Sequence, residues 1–270
     1  MNILYSIGNL LVALILFCAA FVECLVEFVM NKVIWMIDTL FCSNPEEVFH
    51  KQRFSVEPIY KKQSESGVAI CELDDKAMMK ASQFPILPEQ LITKARVVIA
   101  SEFGTAKGCN VDELLAEDFE FVAPIVHLPR ARFVEAFGQF DLYKAFPNFK
   151  TNNTFWVDPM EPNRVWFISR ANGKHTGPLN FGKIQYAPTN KTVLSPPQAS
   201  SMLFNEDGKC YMLTVGYCMD RTVGNTNGLG AMFGILKGID KPLPFKEANA
   251  LQTPSLAFAA AQRFGKVFGM

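Results

Sequence analysis

The spacing of apolar and polar positions changes along the chain, and the changes divide it. Between Asn148 and Gly228 the period is two. "TFWV" (Thr154–Val157) and "VWFIS" (Val165–Ser169) read as strands, and the cluster Asp158-Pro159-Met160-Glu161-Pro162-Asn163 between them cannot continue a ladder, so it joins them as an antiparallel pair. Two more strands, "SSMLF" (Ser200–Phe204) and "KCYMLTVGYCM" (Lys209–Met219), flank the hairpin signal Asn205-Glu206-Asp207-Gly208. From Pro88 the period is helical: Leu91, Ala95, Val98 or Ile99, and Phe103 recur on one face, with Glu89 in the first turn and Gly104 and Gly108 near the end. A second, short helix starts at Asn110, with Asp112 and Glu113 at its positive end. "FEFVAPIV" (Phe119–Val126) reads as one strand that Pro124 confines to an edge or a bulge, and "RARFVEAFGQFDLYKAF" (Arg130–Phe146) as a third helix stopped by Pro147. This order predicts an α+β domain over residues 89–240, with three helices on the concave side of a strongly curved, mainly antiparallel sheet.

The flanks differ in kind. From Ile3 to Val22 the only polar breaks are Ser6 and Asn9, an apolar run of about twenty residues and roughly 30 Å as a helix. We expect a membrane anchor over residues 1–42, with Glu23–Phe41 continuing as an interfacial helix, because Glu23, Glu27, Asn31, Lys32 and Asp38 fall on one side. The small residues Cys18-Ala19-Ala20 leave a second reading, a secretory or organellar signal cleaved near Ala20, although no basic residue precedes the apolar run. Lys32, Lys51, Arg53, Lys61 and Lys62 all follow the span, which sets the bulk of the chain on the cytoplasmic, stromal or matrix side. The sequons at Asn152 and Asn190 would matter only in a lumen. Residues 43–88 read as a polar tether, within which Cys71–Phe84 forms a short helix with Asp74 or Asp75 near its start. Residues 241–270 form an extension whose helix begins at Thr253 and Pro254.

Composition narrows the functional classes. In 270 residues, 26 Lys and Arg balance 26 Asp and Glu, which gives no field to attract nucleic acid. The seven Cys are scattered, with no C-x-x-C pair and no His cluster, so neither a zinc site nor a disulfide framework is indicated. "GLGAMFG" (Gly228–Gly234) lacks the strand-turn-helix context of a phosphate loop and reads as a lead into an apolar helix.

Several phrases resemble the NTF2-like superfamily and, within it, the SnoaL-like, polyketide cyclase-like branch. They are "LLAEDFEFVAP", a Gly-x-His-x-Gly turn (Gly173, His175, Gly177), an F-x-x-DGK segment (Phe204–Lys209), and Asp220 ahead of Gly228-Leu229 and "FGIL". The resemblance covers about residues 89–240. It departs from the pattern at Ser169, where relatives often carry an aromatic, and at "TVGNTNG" after Asp220; the Asp-Arg-Asp set of limonene-epoxide-hydrolase-like relatives is not recognisable, Ile168 standing where its Arg would be. What the resemblance implies is a cone with an apolar pocket and no cofactor, holding a small hydrophobic molecule, and possible pairing of two copies through the sheet. It also implies, in related enzymes, one carboxylate acting as acid and base beside a carbonyl, on a terpenoid-, carotenoid- or polyketide-like compound. On that pattern Asp220 is the candidate base, His175 and His127 the candidate partners of a bound carbonyl, and Arg170, Tyr217, Trp166 and Phe167 the candidate ligand-binding residues. The three candidate catalytic residues have plainer readings beside these: Asp220 paired with Arg221 or capping the next turn, His175 at the surface or stabilising its turn, and His127 capping a helix or exposed at a strand end. Two functions therefore stand, a membrane-tethered module that binds a small hydrophobic ligand or presents a surface to a partner, and a cofactor-free isomerase, cyclase or hydrolase.

Overall fold

The computed structural model describes residues 54–61 and 72–244, apart from 107, 125, 182 and 183. The apolar run 3–22, its continuation to residue 41, the cleavage motif and the helix expected after Thr253 lie outside the described residues. Among the described residues no helix is long and apolar enough to cross a membrane.

The first helix, α1 (Asp75–Ala81), is capped by Asp74, whose carboxylate accepts the Ala77 N–H at 3.0 Å. Its Met78 is fully buried, and upstream the Val56 N–H donates to the Met160 carbonyl at 2.9 Å. Helix α2 (Pro88–Ala100) has Pro at its first position and buries the expected stripe Leu91, Ala95 and Val98. Helix α3 (Val111–Leu114) is one turn long, capped by the Asn110 side chain, which accepts the Asp112 N–H at 3.1 Å.

The next segment departs from expectation. Strand β1 (Leu115–Ala123) begins four residues before Phe119, and Pro124 sits in the turn to a separate strand, β2 (Val126–Pro129), which pairs antiparallel with it. The expected helix over 130–146 is two: α4 (Arg130–Phe137) and α5 (Leu142–Ala145). Gly138 disfavours helix continuation, Asp141 has φ 43°, and the break lets Phe140 pack 5.0 Å from Phe137 and stack 5.6 Å from Phe181.

Strands β3 (Thr154–Val157) and β4 (Arg164–Ser169) follow as the alternation predicts. The stretch after them holds four short strands that the alternation did not reveal: β5 (Asn172–Lys174), β6 (Leu179–Phe181), β7 (Ile184–Tyr186) and β8 (Thr192–Leu194), paired as β5–β8 and β6–β7. Then come β9 (Gln198–Phe204), β10 (Cys210–Cys218) and helix α6 (Ala231–Gly238). The main sheet runs β2-β1-β10-β9-β4-β3. It is mixed: β3, β4, β9 and β10 are mutually antiparallel, as expected, but β1 lies parallel to β10.

Two cores result. In the first, Leu91 and Val98 of α2 and Phe133 of α4 meet the inward strand residues Phe121, Val165 and Leu213. In the second, Ala145 of α5 and Phe146 just after it pack with Leu179, Val193, Leu236 and Ile239. The fold is α+β, with more and shorter helices among the described residues than the three expected.

Candidate functional site

Period-two alternation decides which strand residues face inward, and on β4 and β9 the inward row turns polar toward one end. Val165, Phe167 and Ser169 face in on β4; opposite them across the ladder stand Met202, Ser200 and Gln198. The polar end of this row borders a cavity of about 160 Å³ lined from both cores, by Phe167 of the first and Ile235 of the second. Phe103, Phe137, Phe140 and Phe149 supply apolar walls, and Ser169, Ser195, Gln198 and Ser200 a polar one. Gln198 is 5% exposed, and its Oε1 accepts the Ala231 N–H at 2.7 Å, which fixes the start of α6 beside the cavity. Asn153 also lines it; its amide donates to the Thr151 hydroxyl at 2.9 Å, while its Oδ1 is buried and without a hydrogen-bond partner among the described residues. A second cavity of about 210 Å³ adjoins the first, and every residue lining it is apolar, glycine or proline.

The one carboxylate lining the first cavity is Glu102. It follows the end of α2, where the Ser101 hydroxyl donates to the Val98 carbonyl at 2.9 Å and accepts the Gly104 N–H at 3.1 Å. This tight exit holds Glu102 at φ 51° and Phe103 at φ 60°, a conformation that non-glycine residues rarely adopt and that costs roughly 1–3 kcal/mol each. Burial pushes the Glu102 carboxyl above its ordinary value, and the negative charge of Asp141 adds to the shift. A carboxyl destabilised in its charged form, beside hydroxyl and amide groups in an apolar cavity, can exchange a proton with a bound molecule.

Of the residues singled out from the sequence, Phe167 lines this cavity, and the other six line neither cavity. Asp220 lies beyond the end of β10 and is exposed; its Oδ1 accepts the Thr222 N–H at 2.9 Å and the Thr222 hydroxyl at 2.6 Å. Those bonds hold its carboxyl below the ordinary value, whereas a buried base requires the opposite direction. Asp220 therefore caps a turn. His175 is fully buried, stacked 5.0 Å from Phe146, and its Nδ1 accepts the Thr189 N–H at 3.2 Å. Burial lowers its pKa, so it is held neutral as a packing element. Gly177 in the same motif is required by close approach: a Cβ there would lie 2.0 Å from the Lys144 carbonyl oxygen, and the Thr176 and Gly177 N–H groups both donate to Ala145 at 3.0 Å.

The remaining corrections follow from strand parity. Val126 and Leu128 pack on the first core, so His127 between them faces the other side, 2.7 Å from a Glu120 carboxylate oxygen. Trp166 likewise alternates outward between Val165 and Phe167; its indole N–H donates to Asp158 at 2.6 Å and the Arg164 guanidinium lies over its ring. On β10 a bulge between Thr214 and Tyr217 adds one residue, with Gly216 at φ 86°. Val215 still lines the cavity, but Tyr217 is turned to the outer face and is 41% exposed. Arg170 follows the end of β4 and is exposed. Ser169 and Ser200 were findable as polar residues on an otherwise apolar strand face; Glu102 gave no signal, because a helix exit has no period.

The chemistry has further bounds. Among the described residues no group of three or more His, Cys, Asp or Glu is placed to hold a metal ion. Burial pushes the Cys210 thiol up to about 12, which removes it as a nucleophile.

No protein-family model matches the chain, and no curated protein does. Solved structures similar to it include AclR from Streptomyces galilaeus, provisionally assigned as a hydroxylase, at 16% identity and TM-score 0.38, over 67% of this chain and 95% of that one. A provisionally assigned SnoaL-like polyketide cyclase from Jannaschia sp. CCS1 matches at 16% identity and TM-score 0.38, over 59% of this chain and 96% of its own. A steroid delta-isomerase from Pseudomonas aeruginosa matches at 12% identity and TM-score 0.28, over 67% and 94%. Likeness at this level passes no activity or substrate to this chain.

Proposed function

We propose that the domain is a binding module for a small apolar molecule with one polar group, held in the cavity between its two cores. One observation carries this reading: aromatic walls with a single polar wall, formed where Ser169, Gln198 and Ser200 stand together across the β4–β9 ladder. The apolar run of residues 3–22 supports attachment of the module to a membrane, where such molecules partition. The test is to purify the full-length chain in lipid nanodiscs, extract its small molecules and identify them by mass spectrometry. Ser169→Trp, which fills the polar end, should deplete one apolar compound relative to wild type while circular dichroism stays unchanged. Identical extracts from both proteins would overturn the reading.

Glu102 favours a second reading, cofactor-free proton transfer at a carbon beside a carbonyl. Its strained backbone and raised pKa, both at the cavity wall, are the observations behind it. Under this reading Glu102→Gln lowers solvent-deuterium incorporation into the bound compound by roughly 10²–10⁴-fold, and Asp220→Asn leaves it unchanged. No incorporation in wild type would leave binding as the sole function.

A further inference from the structure

The two cavities share a wall made of the same four residues. Phe137, Phe140, Ala231 and Met232 line both, and three of the four carry large, flexible or rotatable side chains. Phe137 ends α4, Phe140 sits in the break before α5, and Met232 lies in the first turn of α6, so the wall is assembled from three separate places in the chain. Side chains of this kind change rotamer far more readily than strands or helices shift, and Met adapts its shape at little cost. The two chambers differ in character: the first has the polar wall, Glu102 and the buried Asn153 acceptor, and the second has no polar side chain. Volume separates the alternatives. At about 160 and about 210 Å³, neither chamber reaches the roughly 300–1,000 Å³ of a ligand site, whereas the two joined do.

We infer that the chambers are two ends of one elongated site, and that its ligand is a long apolar chain or fused-ring molecule with one uncharged hydroxyl or carbonyl head. This rests on the binding reading above and specifies its ligand. The head lies against Ser169, Gln198 and Asn153, and the tail passes the Phe140–Met232 partition to reach Leu128 and Phe233. A carboxylate head is disfavoured, because Glu102 lines the same chamber and Asp141 stands near it.

Photoaffinity mapping on the full-length chain in nanodiscs tests the inference. The probes are two primary alcohols, of six and twelve carbons, each with a diazirine at the end remote from the hydroxyl. The six-carbon probe should label first-chamber residues such as Ile235 or Phe149. The twelve-carbon probe should label second-chamber residues such as Leu128 or Phe233, with affinity rising by about fourfold for each added methylene. Ala136→Trp, which fills the second chamber, should cancel the gain from length while the short probe still labels; Met232→Ala, which opens the partition, should keep it. A dodecanoic acid competitor should displace the long probe less well than dodecanol. Labelling of the first chamber alone by both probes would overturn the elongated site but leave the binding reading standing. No labelling of either chamber would overturn both.

Discussion

Glu102 and His175 are both displaced from their ordinary protonation, in opposite senses, and both predictions at residue scale come from them. His175 has a pKa below the ordinary 6.5 because burial penalises its charged form. Between the lowered value and 6.5 the unfolded chain binds more protons than the folded one, so stability is full above about pH 6.5 and is lost as pH falls through that window. The urea midpoint should fall between pH 7.5 and pH 5, and His175→Gln should shrink that difference; an unchanged difference would mean the ring is not buried neutral. Glu102 has the reverse sign. Its raised pKa makes the folded chain bind more protons just above the ordinary carboxyl value, so stability declines as pH rises there. Glu102→Gly removes both this penalty and the left-handed strain, and should stabilise by about 1 kcal/mol at pH 7.5 while ending any carboxyl-dependent turnover. Destabilisation instead would show that the side chain packs usefully where it stands.

At the scale of elements, the motifs that stand out in the sequence turn out to be joints. The F-x-x-DGK segment is a hairpin: Asn205 accepts the Gly208 N–H with its carbonyl at 2.9 Å and the Lys209 N–H with its side chain at 2.8 Å. The Gly-x-His-x-Gly turn fastens the β5–β8 ladder to the end of α5. Its two glycines should differ in cost. A Cβ at Gly177 meets a backbone carbonyl at 2.0 Å, whereas one at Gly173 first meets the Phe149 ring at 3.0 Å, which can shift. Gly177→Ala should therefore destabilise by roughly 1–3 kcal/mol, and Gly173→Ala by less, as read by thermal melts. Equal effects would contradict the close approach at residue 177. The β10 bulge is the element that most altered the site, since one added residue turned Tyr217 outward.

At the scale of the whole molecule, the first core is anchored on aromatic contacts around Phe133, whose ring lies 5.0 Å from Phe119, 5.1 Å from Phe121 and 4.4 Å from Phe137. Phe133→Ala should cost about 3–5 kcal/mol, against well under 1 kcal/mol for the same truncation of Ile184 at 51% exposure on the surface. Comparable losses at the two positions would place the core elsewhere. The apolar run 3–22 makes a separate prediction: full-length protein should stay with the pellet on carbonate extraction of membranes. Release at full length would end the anchor proposal, and a shortened soluble form would favour cleavage near Ala20.

The sequence by itself determined the local choices. The period-two rows of β3, β4, β9 and β10, the helical stripe Leu91-Ala95-Val98, and the caps at Asp74 and Asn110 depend on neighbours within a few residues, and those neighbours are written in order along the chain. Tertiary structure decided what depends on distant partners. The parallel seating of β1 on β10, the break at Gly138–Asp141 that brings Phe140 onto Phe181, and the β5–β8 ladder arise from packing between residues distant along the chain. The candidate site belongs to this second class. Glu102 from a helix exit, Ser169 and Ser200 from two strands, and Met232 from the last helix share one cavity only because the two cores close on either side of it, and no spacing along the chain records that closure.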